Sequence, residues 1–400
     1  MVNRMSRLEY ISVKGFRRLQ NINLEMRDLT VMIGSNGSGK TSFLDVLSIL
    51  AASANGKLND ILEKKGGLNE VLTRGRVKKL EIDLLMRDSK PDEEPFKYSL
   101  SISPRGFSYE INHEQLVKNR GSSTQLFANI FSRSANLISR QYIDSYSSAI
   151  NYFQEDSGVA IQPNWEHNPL ETSLSQVPKT YQKSERLRKD LASCTYYGAL
   201  DVSEKSPVRL PQAMRPSKLP GVNGEYLVSC LYDLRESDSD RFEMVESIIS
   251  TAFPDFVRLS FPPVAAGTIS MTWRDRNFPQ PIYIHELSEG TLRFLWLVAL
   301  LQSKDLSTIT LLDEPEVSLH PELLRHLAYL MREASRYTQL IVATHSDRLV
   351  RFLEPSEVLI CDLEDGEATM TWADSLNLDK WLEDYTLDQL WAMNVVGGRP

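Results

Sequence analysis

The 400-residue sequence predicts an α/β protein centred on a parallel sheet. Three observations carry the prediction. A hydrophobic run at 29–33 enters a glycine-rich turn and leaves it as a helix. The last hundred residues alternate helical and buried-strand patterns. Apolar residues recur at every second position in several runs between 80 and 111, as antiparallel strands beside a core require.

Along the chain, strands are expected at 8–13, 22–26 and 29–33, with Asp28 at a connection. From Lys40 to about Ser53 the apolar residues Phe43, Leu44, Leu47 and Leu50 fall at helical spacing. Further strands are expected at 80–86, 98–102 and 107–111, separated by turns at 89–95 and at Pro104-Arg105-Gly106. Residues 113–218 lack clean periodicity, are rich in Ser, Asn and Gln, and carry several prolines after Pro163, so they read as a mainly helical and irregular insertion. No sustained heptad predicts a long coiled coil there. Helix resumes from Gly224, and strands follow at 256–261, 268–273 and 282–285. The final alternation is helix 291–301, strand 308–312, helix 321–335, strand 339–343. The expected organisation is therefore an N-terminal lobe 1–112, an inserted subdomain 113–220, a C-terminal lobe 221–365 and a tail 366–400.

Composition narrows the function classes. The greasiest stretch, 294–301, is far shorter than the roughly 20 residues of a bilayer-spanning helix. The first 18 residues lack the apolar run and cleavage site of a secretory signal, so a cytoplasmic location is expected. Cys194, Cys230 and Cys361 are odd in number and far apart, which excludes a disulfide framework or a CxxC metal clip. A net charge of −8 argues against blanket nucleic-acid binding, yet residues 179–218 hold nine Lys/Arg against four Asp/Glu, leaving Lys183, Arg186, Arg188 and Lys189 as a candidate DNA or partner contact.

Gly34-Ser35-Asn36-Gly37-Ser38-Gly39-Lys40-Thr41 fits GxxxxGK[ST] between a hydrophobic strand and a helix. In that context, backbone N–H groups curl round phosphate oxygens, Lys40 reaches the β/γ-phosphates and the Thr41 hydroxyl suits Mg²⁺. Asn36, Gly37, Ser38, Gly39, Lys40, Thr41 and Ser42 are thus candidate nucleotide-binding residues. The strand 309–312 ends in Asp313-Glu314, and carboxylates at a strand's C-terminal edge lie where an open α/β sheet holds its ligand. Asp313 suits Mg²⁺ and Glu314 suits activation of water.

Together these segments resemble the ABC-type ATPases in the branch that includes RecF, the SMC proteins and the OLD-like ATPases. Leu287-Ser288-Glu289-Gly290-Thr291 resembles the family's signature motif, with Glu289 and Thr291 departing from the transporter form. Ser288 is equally a good helix N-cap. The resemblance implies a phosphate-loop NTPase head with an antiparallel β subdomain, and ATP and Mg²⁺ as cofactors. It further implies that Ser288 and Gly290 meet the γ-phosphate held by a second copy, with Glu289 between them also among the nucleotide-binding residues, making a homodimer or higher oligomer. Ser318-Leu319-His320-Pro321 resembles the D-loop, and His345 resembles the switch histidine that acts beside the catalytic Glu314. Gly15-Phe16-Arg17-Arg18 resembles an early element near the nucleotide, while no Gln near Gly66-Gly67-Leu68 matches the Q-loop. Asp362-Leu363-Glu364-Asp365-Gly366 faintly resembles a Toprim acidic cluster but reads as a hairpin turn.

The expected function is an ATP-hydrolysing dimer that works with DNA or with a separate nuclease or toxin partner in genome maintenance or antiphage defence. An ATP-gated scaffold without DNA contact is the alternative. A transporter subunit is disfavoured by the missing Q-loop and by the long separation of Gly39 and Asp313.

Overall fold

A computed structural model describes residues 6–75, 77–88, 94–119, 139–147, 149–155 and 157–398. The chain begins with β1 (Arg7–Phe16), β2 (Leu19–Glu25) and β3 (Leu29–Ile33), then the helix Lys40–Ala54. Next come β4 (Leu80–Arg87), β5 (Phe96–Arg105), β6 (Ser108–Asn119), β7 (Ser139–Tyr146), β8 (Ala149–Phe153) and β9 (Ala160–Ile161). With β1 and β2 they form one antiparallel sheet of eight strands in the order β2-β1-β4-β5-β6-β7-β8-β9. After the helix Gln182–Ala192, β10 (Thr195–Tyr197) enters a second sheet. The short strands β11 (Gln212–Ala213), β12 (Phe256–Ser260), β13 (Pro263–Ala265), β14 (Thr268–Ile269), β15 (Thr272–Asp275) and β16 (Ile282–Tyr283) make two three-stranded sheets. The last strands are β17 (Ile309–Asp313), β18 (Gln339–Ala343), β19 (Val358–Glu364) and β20 (Glu367–Trp372).

The central sheet has the order β10-β17-β18-β3-β19-β20, parallel except for the β19–β20 hairpin. Both of its faces are buried. Val31, Ile33, Leu312 and Val342 pack into a core with Phe294, Trp296 and the helices of the C-terminal half. Met32, Leu311, Ile341 and Leu359 pack into a second core with Phe43, Leu44, Leu47 and the eight-stranded sheet. Burial on both sides is why these strands read as continuous apolar runs. Asp313 pairs with Ala343, and Ala343 with Met32. The phosphate loop, Asp313-Glu314 and Thr344-His345 therefore leave the sheet side by side at one carboxyl edge.

The stretch 113–220 departs from expectation. The boundary at residue 112 falls inside β6, and the described residues beyond it add β7, β8 and β9 to the antiparallel sheet and β10 to the central one. The alternation was hidden because inward positions are polar. Glu114 is fully buried, accepting hydrogen bonds from the Tyr98 hydroxyl and the Leu174 N–H, each at 2.9 Å. Its burial pushes the carboxyl above the usual range. Ser145 and Ser173, also buried, bond each other at 2.8 Å. The run 268–273 likewise splits into β14 and β15 in different sheets, because Ser270 donates to the Pro262 carbonyl and Met271 accepts from Ile284. Among the described residues no helix is long and apolar enough to cross a membrane.

Candidate functional site

The phosphate loop turns directly off β3. Gly34 has φ 145°, and a Cβ there would lie 2.1 Å from the Cys361 carbonyl oxygen on β19, so the loop's root admits no side chain. Lys40, at the first turn of its helix, donates to the carbonyls of Gly34 at 2.6 Å and Ser35 at 3.0 Å and approaches His345 Nδ1 at 3.4 Å. Burial lowers its pKa, against the pull of Glu314, Asp313 and Glu316. Thr41 is exposed beside it, Ser42 is half-buried and Ser38 is buried. Asn36 and Gly37 lie exposed at the loop tip.

The carboxylates come from the end of β17. Glu314 takes a left-handed backbone, φ 52°, with its N–H on the Ala343 carbonyl at 2.9 Å, which carries its side chain to 3.4 Å from His345 Nε2. Burial raises the Glu314 carboxyl to about 8, helped by its hydrogen bond to Glu316 and by the charge of Glu316. Burial, then Lys40, pushes His345 down. Burial thus disfavours the charged form of both partners in this contact. Glu316, not anticipated from the sequence, accepts from the Thr344 hydroxyl and from the His345 N–H at 3.3 Å. Asp313 accepts from the Tyr196 hydroxyl at 2.7 Å, a second partner that the sequence did not announce.

These shifts predict a pH effect. Between about 4.5 and about 8 the folded chain binds a proton at Glu314 that the unfolded chain releases, so stability falls as pH rises through that window and levels off above it. The melting temperature of the nucleotide-free protein should decline from about pH 6.5 to about pH 8, and Glu316→Gln should flatten the decline. An undiminished slope in that variant would place the responsible carboxyl elsewhere.

Ser288 caps the helix Glu289–Leu301, accepting from the Thr291 N–H at 3.2 Å, so the capping role holds. Arg209 fixes the approach to this turn by donating to the carbonyls of His285 at 2.8 Å and Leu287 at 2.9 Å. Gly290 lies against the D-loop-like turn: a Cβ on it would sit 2.7 Å from the Ser318 carbonyl oxygen. Ser318 itself has φ 62°. Among the described residues no hydrogen bond or ion pair joins Ser288, Glu289 or Gly290 to the phosphate loop of the same chain.

Of the two early arginines, Arg17 pairs with Asp45 at 2.7 Å, while Arg18 lies over the loop, its Nη1 3.6 Å from where a Gly37 Cβ would be. The basic stretch predicted as a contact surface is largely spent on ion pairs: Arg186 with Asp88, and Arg188 and Lys189 with Glu185. Asp365-Gly366 forms the β19–β20 turn, with φ 51° and 80°, so the hairpin reading stands. The tail returns to the site. The Gly398 N–H donates to Asp362 at 2.8 Å and its carbonyl accepts from buried Trp391 at 2.5 Å, close to the root of the phosphate loop.

Residues 29–351, which include the phosphate loop, the Ser288–Gly290 turn, Asp313-Glu314 and His345, match the family described as "AAA domain, putative AbiEii toxin, Type IV TA system". The chain belongs to that AAA family. It is an ATPase-type phosphate-loop protein, and solved structures share its fold at low identity. An Smc head bound to the C-winged helix domain of ScpA aligns at TM-score 0.53 and 12% identity, covering 91% of this chain and 96% of that one. A Pyrococcus furiosus Smc head with an extended coiled coil, bound to the C-terminal domain of ScpA, aligns at TM-score 0.53 and 11% identity, covering 95% and 99%. No curated protein matches the chain.

Proposed function

We propose that this AAA-family protein binds ATP with Mg²⁺ and hydrolyses it at a site completed by a second copy of the chain, using the nucleotide cycle to control a separate effector. The observation that carries the reading is the convergence of Lys40, Asp313, Glu314 and His345 at one sheet edge, while the Ser288–Gly290 turn makes its contacts elsewhere in the chain.

The donors suit the ligand. Lys40 and the helix N-terminus match phosphate, and the Thr41 hydroxyl with the Asp313 carboxylate offers Mg²⁺ hard oxygens. Among the described residues no group of three His, Cys, Asp or Glu could hold a metal alone, which fits an ion that shares its shell with nucleotide oxygens. When bound, the ion would neutralise charge on the transferring phosphate. Glu314 would then orient and deprotonate the attacking water, and positive charge at Asp313 favours its ionised form. His345, held by Glu316 at its backbone N–H, can donate to the γ-phosphate or to the water. Ser288 and Gly290 present a helix N-terminus to the γ-phosphate of the partner.

A partner protein as the effector is supported by the toxin–antitoxin description of the family. DNA contact has weaker support, because the basic stretch is internally paired. Steady-state turnover of ATP with Mg²⁺ should therefore rise faster than linearly with protein concentration until the dimer saturates. Strictly proportional turnover over a hundredfold dilution series, with the protein monomeric by mass, would confine hydrolysis to one chain.

A further inference from the structure

We propose that Tyr196 is a positioning residue for Asp313, its hydroxyl orienting that carboxylate toward the divalent cation and so setting how strongly the cation aids ATP binding. The inference rests on the preceding reading in one respect, that Asp313 faces a nucleotide-bound cation.

The geometry is built by the sheet. β10 runs parallel to β17 with Tyr196 opposite Leu311 and Tyr197 opposite Leu312, so the tyrosine pair ends one position short of Asp313. Alternation sends the two rings to opposite faces. Tyr197 goes into the core, edge-on to Trp296 at 5.8 Å between centroids. Tyr196 stays partly exposed, and its hydroxyl meets Asp313 Oδ2 at 2.7 Å. Among the described residues this is the one hydrogen bond made to the Asp313 carboxylate.

A tyrosine left partly in water could satisfy its hydroxyl with solvent; instead it donates to a carboxylate, a charge-assisted bond that fixes both groups. With Oδ2 engaged, Oδ1 and the remaining lone pair of Oδ2 are left for a cation in one orientation. Hydrogen bonds of this kind to metal-binding carboxylates typically change metal affinity by 10–100-fold.

The test is the ATP affinity of the full chain by calorimetry in the cold, with Mg²⁺ and with EDTA, for wild type, Tyr196→Phe, Asp313→Asn and the double variant. The expected result is that Tyr196→Phe keeps the EDTA affinity but loses roughly 10–100-fold of the Mg²⁺ enhancement. It should add nothing in the Asp313→Asn background, since the two residues act through one contact. An unchanged enhancement in Tyr196→Phe, or equal losses with and without Mg²⁺, overturns the inference by making Tyr196 a surface or purely structural residue. Should Tyr196→Phe not fold, Tyr196→Leu, which also lacks the donor, replaces it with the same expected loss of the Mg²⁺ enhancement, and loss of the EDTA affinity there counts against a positioning role. If instead wild type binds no ATP, or Lys40→Ala binds it equally well, the nucleotide-site reading itself fails, a result separable from all of these.

Discussion

Lys40→Ala should lose ATP affinity by roughly 10²-fold or more while the protein keeps its fold. The ammonium is positioned by the Gly34 and Ser35 carbonyls at 2.6 and 3.0 Å, at the root of the phosphate loop. A charge-assisted bond to phosphate contributes about 1.5–3 kcal/mol, and each 1.4 kcal/mol is tenfold in affinity, so one lysine reaching two phosphates accounts for a loss of that size. Folding should depend on it little. The side chain is desolvated enough to lower its pKa, which means that the folded state gains little from holding the charge there. Titration with ATP and a thermal melt of the same variant separate the two effects. Wild-type affinity in the variant would remove the phosphate-loop assignment, and a collapsed melt would make Lys40 a structural residue.

Glu314→Gln should slow hydrolysis by roughly 10²–10⁴-fold, the range expected for losing a general base, while ATP binding survives. Gln keeps the shape and can hydrogen-bond water but cannot take its proton. Lys40, Thr41 and Asp313 are untouched, so the nucleotide stays and the protein should accumulate as an ATP-held dimer by light scattering in ATP and Mg²⁺. Adding Ser288→Arg should abolish that association while leaving nucleotide binding by the single chain nearly intact. The arginine also removes the helix cap on the Thr291 N–H, at a cost of about 1 kcal/mol, so its melting temperature must be compared as well. An association state indifferent to nucleotide in both proteins would mean that hydrolysis is organised within one chain.

What was legible from residues alone was the local form of contiguous segments. The phosphate loop from Gly34 to Thr41, Asp313-Glu314 after a buried strand, the Ser288 cap and the Asp365-Gly366 hairpin are local patterns, in which a few adjacent residues determine backbone shape and donor geometry. The strands β3, β17 and β18 of the central sheet were legible for the same reason, since burial on both faces leaves uninterrupted apolar runs. Tertiary structure alone decided what meets across long separations. Tyr196 reaches Asp313 over 117 positions. Glu316 braces the Thr344-His345 turn, Arg18 covers the loop, and Gly398 docks near its root. It also decided that residues after 112 continue the antiparallel sheet, because Glu114 and Ser145 fill inward strand positions that alternation reserves for apolar groups, and their hydrogen bonds, to Tyr98, Leu174 and Ser173 and invisible in a one-dimensional pattern, offset the cost of burying them.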